Sequence, residues 1–214
     1  TTTLCPPLKA ALTALGVDAS RLEVVLMQMV RLVRDGEIVK ASKRSGKAIT
    51  LVTLLEEVPV DAARFLFNSY EPTPASTSTW TWRSRRTART GVLRAVRPRP
   101  HLLHPEEPEG RRIEPRECTV EELSLLTAPE ELELIRYLSG FTGEVAAAAK
   151  LKDPAKITRY VMNLSTLFHK FYNTCRVKGS DEALQAARLY LCTATRTVLE
   201  NGLALFKVTA PESM

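Results

Sequence analysis

The sequence predicts a mainly helical protein, in which an α/β segment is followed by an all-α antiparallel bundle. Residues 22–33 are apolar and strand-prone, and Asp35-Gly36 is a turn signal. Beyond Thr119, apolar residues recur at helical spacing with short connections. The 214 residues, 44% of them apolar, can supply a hydrophobic core.

In the N-terminal part, residues 37–39 continue as a short strand into a basic loop. A helical pattern follows the loop and is broken by Pro59. Residues 61–70 resume that pattern, with Ala62, Phe65, Leu66 and Ser69 on the inner face.

The C-terminal helices have recognisable start signals. Thr119 with Glu122, and Thr127 with Glu130, have the spacing of capping boxes. Asp153 before a proline predicts the next helix start. Ser180 is expected to cap the last helix and Gly202 to end it. The predicted inner faces are Leu132, Ile135, Leu138, Val145 and Ala148, then Ile157, Val161, Leu164, Phe168 and Phe171, then Leu184, Ala187, Leu191, Ala194 and Val198.

The net charge of +6 comes from one unusual segment. Residues 73–116 contain ten Arg, four Glu and no Lys or Asp, so the remaining 20 basic and 20 acidic residues balance. The basic composition is therefore weak support for general nucleic-acid binding. The four scattered cysteines are expected to be reduced thiols, and three histidines are too few to predict a metal site. No stretch predicts a membrane span or a signal peptide.

Residues 40–47 have the chemistry of a polyanion-binding loop. Lys40, Lys43 and Arg44 supply positive charge, while Ser42 and Ser45 supply hydroxyl donors. Such a mixture, beside a glycine that lets the backbone approach closely, suits the phosphates of a nucleotide. The alternative is a solvated basic loop.

Five stretches carry a family resemblance. Residues 33–46 read VRDGEIVKASKRSG and resemble the KMSK loop of class I aminoacyl-tRNA synthetases, in the form seen in arginyl-tRNA synthetases. Residues 61–68, DAARFLFN, resemble the helix after that loop. Residues 171–177, 199–203 and 210–214, which read FYNTCRV, LENGL and APESM, resemble the anticodon-binding helical domain. A K-x-S-K match alone would be weak, but ordered motifs strengthen it.

The resemblance implies a domain plan. Residues 1–72 would be the C-terminal part of a Rossmann-like catalytic domain, and residues 113–214 the helical anticodon-binding domain. Residues 73–112 match nothing in the family as written. Read out of frame with permitted codons, residues 75–85 and 91–108 give strings that resemble the family's linker and first anticodon-domain helix. Residues 73–112 are therefore expected to be a frame-shifted, disordered segment.

The resemblance also implies an arginine–tRNA ligase that acts in the cytoplasm as a monomer, with ATP, Mg²⁺, arginine and arginine tRNA. Lys43 would neutralise charge on the pyrophosphate, helped by Lys40 and Ser42, while Arg44 and Ser45 would also hold ATP. Ala41 stands where the family has an apolar methionine that helps to seat the loop, so a different seating of the loop is expected while the lysines remain.

The same resemblance suggests residues that contact splayed bases of the tRNA. Core packing is the alternative for Tyr172, and a surface ion pair is the alternative for Arg176, as it is for Arg44. The candidates are Tyr160, His169, Tyr172, Asn173, Arg176 and Met214.

The family's HIGH motif is absent from the sequence and is expected upstream of Thr1, which is not a methionine. The chain alone is therefore expected not to charge tRNA. Two alternatives remain open. One is a non-catalytic tRNA-binding module formed by residues 113–214, and the other is a mistranslated product without function.

Overall fold

The computed structural model describes residues 5–25, 31–34, 37–38, 52, 55–56, 58–69, 79–82, 116–177 and 181–208. The chain divides into two compact units. The first contains residues 1–48 and 70–82, and the second contains residues 49–69 and 83–214. Each unit is described by itself.

The first unit contains a helix and a small sheet. Helix α1 spans Cys5–Ala14, and a 3₁₀ turn spans Ala19–Arg21. The Asp18 carboxylate caps this turn by accepting a hydrogen bond from the Ser20 backbone N–H at 2.9 Å. Strands β1 (Arg31–Arg34), β2 (Glu37–Ile38) and β3 (Thr79–Trp82) form a sheet in the order β2-β1-β3.

The sheet agrees with part of the sequence prediction. Strands β1 and β2 pair antiparallel, with Arg34 opposite Glu37, which fits the turn signal and the short strand predicted there. The turn residues Asp35 and Gly36 themselves lie outside the described residues. This small mixed sheet does not establish a Rossmann-like remnant in residues 1–72, and that assignment stays a prediction.

Strand β3 differs from the expectation for residues 73–112. It pairs in parallel with β1, in the register Arg31 to Thr79 and Arg34 to Trp82. Expected disorder is therefore wrong for these four residues, because alternating threonine and tryptophan favour a strand locally. The other residues of the predicted frame-shifted segment lie outside the described part of the chain.

The second unit is helical in its described part. After α2 (Val60–Asn68), the short helix α3 (Val120–Leu123) leads into a bundle. The bundle consists of α4 (Pro129–Ser139), α5 (Phe141–Leu151), α6 (Ala155–Thr174) and α7 (Glu182–Ala204). None of the helices in the described ranges is long and apolar enough to cross a membrane.

Capping starts α3 as predicted and α4 one residue later than predicted. Thr119 Oγ1 accepts from the Glu122 N–H at 3.3 Å, and Glu122 accepts from the Thr119 N–H at 2.9 Å. At α4 the N-cap is Ala128, whose N–H donates to Glu131 Oε2 at 2.9 Å. The predicted pair of Thr127 with Glu130 is therefore wrong.

The predictions for the start of α6 and for the two ends of α7 had different outcomes. Asp153 Oδ1 accepts from the Ala155 N–H at 3.0 Å, so the predicted cap of α6 is confirmed. Helix α7 has Asp181 at its N-cap, while Ser180 lies outside the described residues. Gly202 does not end α7, because the helix continues to Ala204 and Gly202 is buried within it.

Helix α6 forms the centre of the core. All five inner residues predicted for this helix are buried, including Phe168 and Phe171. The predicted inner face of α4 is partly wrong, because Leu132 and Ile135 are each 37% exposed, whereas Leu134 and Glu131 are buried. The buried positions of α4 are therefore Glu131 and Leu134, each one residue before the predicted Leu132 and Ile135.

Helix α2 belongs to the same compact unit as the bundle. The Phe65 ring meets Phe206 edge to face, with centroids 6.3 Å apart, and Arg64 Nη1 donates to the Lys207 carbonyl at 2.8 Å. This division differs from the domain plan implied by the resemblance, which placed α2 with the catalytic part. Aromatic burial against the bundle accounts for the difference.

Candidate functional site

The predicted phosphate loop lies outside the described residues. Lys40, Ser42, Lys43, Arg44 and Ser45 therefore keep the roles predicted for them from sequence. The described candidates for RNA contact lie in the helical unit.

Four predicted residues lie at or just beyond the end of α6. His169, Tyr172 and Asn173 have the spacing that places side chains on one face of this helix, and Arg176 follows two residues after the helix ends at Thr174. His169 and Tyr172 are half-buried, while Asn173 and Arg176 are exposed. We call this set the α6 end surface.

The rings of this surface rest on the core. The centroid of the buried Phe168 ring lies 6.2 Å from that of Tyr172 and 6.3 Å from that of His169. Burial raises the pKa of the Tyr172 phenol, so the hydroxyl stays neutral near neutral pH. A half-buried ring that packs against the core can stack on a base at low entropic cost. Tyr172 therefore packs partly against the core, as the alternative prediction has it, and can also stack on a base, as the functional prediction has it.

A buried ion pair holds the backbone at the C-terminal end of this surface. Arg188 Nη1 donates to the Arg176 carbonyl at 2.6 Å, and Arg188 Nε donates to Glu131 Oε1 at 2.7 Å. The Glu131 carboxylate also caps α4 through the Ala128 N–H. One side-chain network thus joins the start of α4, the end of α6 and the first half of α7.

Tyr160 does not belong to this surface. It is 6% exposed, its hydroxyl donates to the Tyr137 carbonyl at 2.7 Å, and its ring stacks on Tyr137 with centroids 4.6 Å apart. Burial raises the pKa of its phenol. The prediction of Tyr160 as an RNA-stacking residue is therefore corrected to a core residue, since its faces are already covered. Met214 lies outside the described residues.

Sequence reasoning missed a basic cleft between α4, α5 and α6. Its volume is about 350 Å³, and the stacked Tyr137 and Tyr160 contribute to its wall. Three cations line it, namely Arg136, Lys156 and Arg159. They are far apart in sequence or separated by uncharged residues, so they form no short basic motif that the sequence analysis could have found. The lining residues are Arg136, Tyr137, Gly140, Glu144, Lys156, Arg159, Tyr160 and Asn163.

The side chains that line this cleft include three cations and one carboxylate. Glu144 is the one carboxylate of the lining, and it faces Lys156 at 3.4 Å. Arg159 lies 3.5 Å from Asp153, whose other oxygen caps α6. Both distances exceed the 2.7–2.9 Å usual for a strong charge-assisted hydrogen bond. The cleft is therefore suited to an anionic group.

Comparison with known proteins assigns the helical unit. Residues 112–214 match the family model of the DALR anticodon binding domain. A structure of Thermus thermophilus arginyl-tRNA synthetase shares the fold with a TM-score of 0.71, at 20% identity, over 96% of this chain and 38% of that one. A solved chain from Campylobacter jejuni reaches a TM-score of 0.72 at 20% identity, over 98% of this chain and 45% of that one.

Curated relatives extend the match over nearly the whole chain. The arginine–tRNA ligase of Caldanaerobacter subterraneus is 44% identical over 211 residues, which cover 97% of this chain and 37% of the relative. That of Acetivibrio thermocellus is 41% identical over 214 residues, with the same coverage. The chain thus spans a little over a third of the length of these relatives. Together, the domain match and these relatives show that the chain belongs to the arginyl-tRNA synthetase family, of which it carries the C-terminal part with the DALR anticodon binding domain.

Proposed function

We propose that the chain binds the anticodon region of arginine tRNA through its helical C-terminal domain, as part of a cytoplasmic arginine–tRNA ligase that acts as a monomer. The match of residues 112–214 to an anticodon binding domain carries this proposal. The α6 end surface supports it, because it presents an anchored tyrosine beside amide and guanidinium donors. Single-stranded loop bases are recognised by such stacking and hydrogen bonding.

Within this surface each side chain has a distinct task. The Tyr172 ring would stack on an unpaired base, while the exposed Asn173 amide would hydrogen-bond to a base edge. The Arg176 guanidinium would contact a base or a phosphate. Its carbonyl is held by Arg188, so the ordering cost of binding would fall mainly on the Arg176 side chain rather than on its backbone.

The phosphate loop supports a second part of the proposal, which concerns ATP-dependent activation of arginine in the presence of Mg²⁺. The donor set at Lys40, Ser42 and Lys43 fits a triphosphate. Lys43 would stabilise the negative charge that develops on the pyrophosphate as the arginine carboxylate attacks the α-phosphate. Arg44 and Ser45 would hold further phosphate oxygens.

The sequence contains no HIGH motif, so we propose that this chain by itself binds tRNA without charging it. The alternative of a product without function predicts no preference for arginine tRNA. An aminoacylation assay with ATP, arginine and arginine tRNA separates these proposals from an active enzyme. Measurable attachment of arginine to tRNA by the purified chain would contradict the proposal that the chain by itself does not charge tRNA.

Tyr172→Ala tests the binding proposal. Loss of one stacking platform costs about 1–3 kcal/mol, so affinity for arginine tRNA should fall by roughly 5- to 150-fold. Tyr172→Phe should retain most of the affinity because it keeps the ring. Tyr190→Ala removes a 41%-exposed tyrosine from α7 and is the matched control. Equal affinity of Tyr172→Ala and Tyr190→Ala, with both variants folded, would refute the role of Tyr172.

A further inference from the structure

We propose that the basic cleft between α4, α5 and α6 binds a backbone phosphate of the same RNA, at a place distinct from the α6 end surface. This inference rests on the proposed tRNA-binding function and adds a second contact to it. The ligand class is a phosphodiester of an RNA strand.

Net positive charge is the first support. Arg136, Lys156 and Arg159 line the cleft, and Glu144 is the one acidic residue among its lining side chains. Arg136 forms no ion pair with any residue in the described ranges. A guanidinium there can give two parallel N–H groups to a phosphate, which is a geometry that lysine cannot reproduce.

Two loose ion pairs are the second support. Lys156 lies 3.4 Å from Glu144, and Arg159 lies 3.5 Å from Asp153. By contrast, Lys170, which is farther along α6, donates to Glu133 at 2.8 Å. Half of the Arg159 side chain and a quarter of that of Lys156 are exposed, so an anion in solvent can approach both cations.

A rigid wall is the third support. Tyr137 and Tyr160 stack with ring planes 16° apart, and Phe141 packs against Tyr160 with centroids 5.4 Å apart. Tyr160 also donates to the Tyr137 carbonyl at 2.7 Å. The wall therefore exists before the ligand binds, which lowers the ordering cost of binding.

The position of the cleft fits a separate contact on the same RNA. Arg159 and Tyr172 are both on α6, and thirteen residues of helix correspond to about 20 Å along the axis. A distance of about 20 Å corresponds to several nucleotides of RNA backbone, so one RNA can reach both places. Stem contacts of proteins fall mainly on phosphates and sugars, which carry little sequence information.

The test uses the salt dependence of tRNA binding by the whole chain. Each phosphate contact that is lost reduces the slope of log K against log salt by about 0.7–0.9. Arg136→Gln and Arg159→Gln should each lower the slope by about that amount, and should weaken binding equally for arginine tRNA and for an anticodon-exchanged tRNA. Lys170→Gln, which removes a cation of the same helix outside the cleft, should leave the slope unchanged.

The outcomes separate the two proposals. If Arg136→Gln and Arg159→Gln both keep the wild-type slope of log K against log salt, the proposal that the cleft binds a phosphate is overturned. This holds even if arginine tRNA is still preferred. Reduced slopes without any preference for arginine tRNA would keep the cleft contact and contradict the anticodon proposal. Inorganic phosphate at constant ionic strength should not displace the RNA. If it lowers the wild-type slope to that of Arg136→Gln, the cleft is a free-anion site and the inference fails.

Discussion

Arg188 on α7 donates a hydrogen bond to Glu131 on α4 at 2.7 Å, and the Glu131 side chain is only 1% exposed. The same guanidinium holds the Arg176 carbonyl at 2.6 Å. A buried charge pair of this kind is costly to break and inexpensive to replace as a unit. The pair therefore ties the start of α4 and the end of α6 to the first half of α7, beside the α6 end surface.

Arg188→Met should strongly destabilise the protein. It leaves the Glu131 carboxylate buried without its cation, which typically lowers the free energy of unfolding by about 3–5 kcal/mol. Urea unfolding followed by far-UV circular dichroism measures this loss. The double variant Glu131→Leu with Arg188→Met should recover much of it, since no unpaired charge remains. A single variant as stable as the wild type would show that the pair is not a structural tie.

Gly202→Ala should be destabilising although alanine favours helices. An added Cβ would lie 2.7 Å from Cγ2 of the fully buried Val161, so overpacking of about 1–3 kcal/mol opposes a helix gain of about 1 kcal/mol. Gly143→Ala in α5 is the control, because no atom lies within 4 Å of its Cβ. That variant should gain about 0.5–1 kcal/mol. Thermal unfolding of both variants should move in opposite directions, and equal shifts would contradict the close helix contact.

Glu122 should make stability fall in acid. The Arg116 side chain, followed by the Thr119 N–H, lowers the pKa of this carboxyl below its usual 4.5. A lowered folded pKa contributes stability above about pH 4.5, and this contribution is lost as the pH falls through the folded value. Glu122→Gln should have a lower melting temperature at pH 7 and a flatter profile below pH 4.5. An unchanged slope of melting temperature against pH would refute this role.

Cys192 should resist alkylation in the folded protein. Burial raises the pKa of its thiol to about 12, so almost no thiolate forms near pH 8. Cys5 is more exposed and should be labelled first. Peptide mass spectrometry after iodoacetamide treatment, with and without urea, measures the order. Labelling of Cys192 at the rate of Cys5 without urea would contradict the burial of this side chain.

Periodicity predicted the centre of the bundle well, because the core is formed by repeating apolar positions. The inner residues of α6 were predicted correctly, including Val161 and Phe168. The pattern failed on α4, where Glu131 is buried because Arg188, 57 positions away in sequence, satisfies its charge. The prediction that Gly202 ends α7 was wrong for a related reason. Its role depends on a neighbouring helix, and no local signal distinguishes a helix end from a close approach.

The candidate surface was predicted in part. Spacing along one helix placed His169, Tyr172 and Asn173 on the same face, and a local period of 3.6 residues is sufficient for that. Arg176 lies beyond the end of α6, which the same spacing did not predict. Tyr160 was misassigned because its covering partner, Tyr137, comes from another helix. The basic cleft was missed for the same physical reason, since its cations converge only when α4 and α6 pack.

Discrimination by anticodon tests the central claim most directly. The dissociation constant of the whole chain should be measured for arginine tRNA and for the same tRNA with its anticodon bases exchanged, at one fixed salt concentration. Loss of base contacts worth about 1–3 kcal/mol each predicts binding to the exchanged tRNA that is weaker by roughly tenfold or more. Equal affinity for the two RNAs would contradict the claim that the C-terminal helical domain reads the anticodon, and would leave only charge attraction.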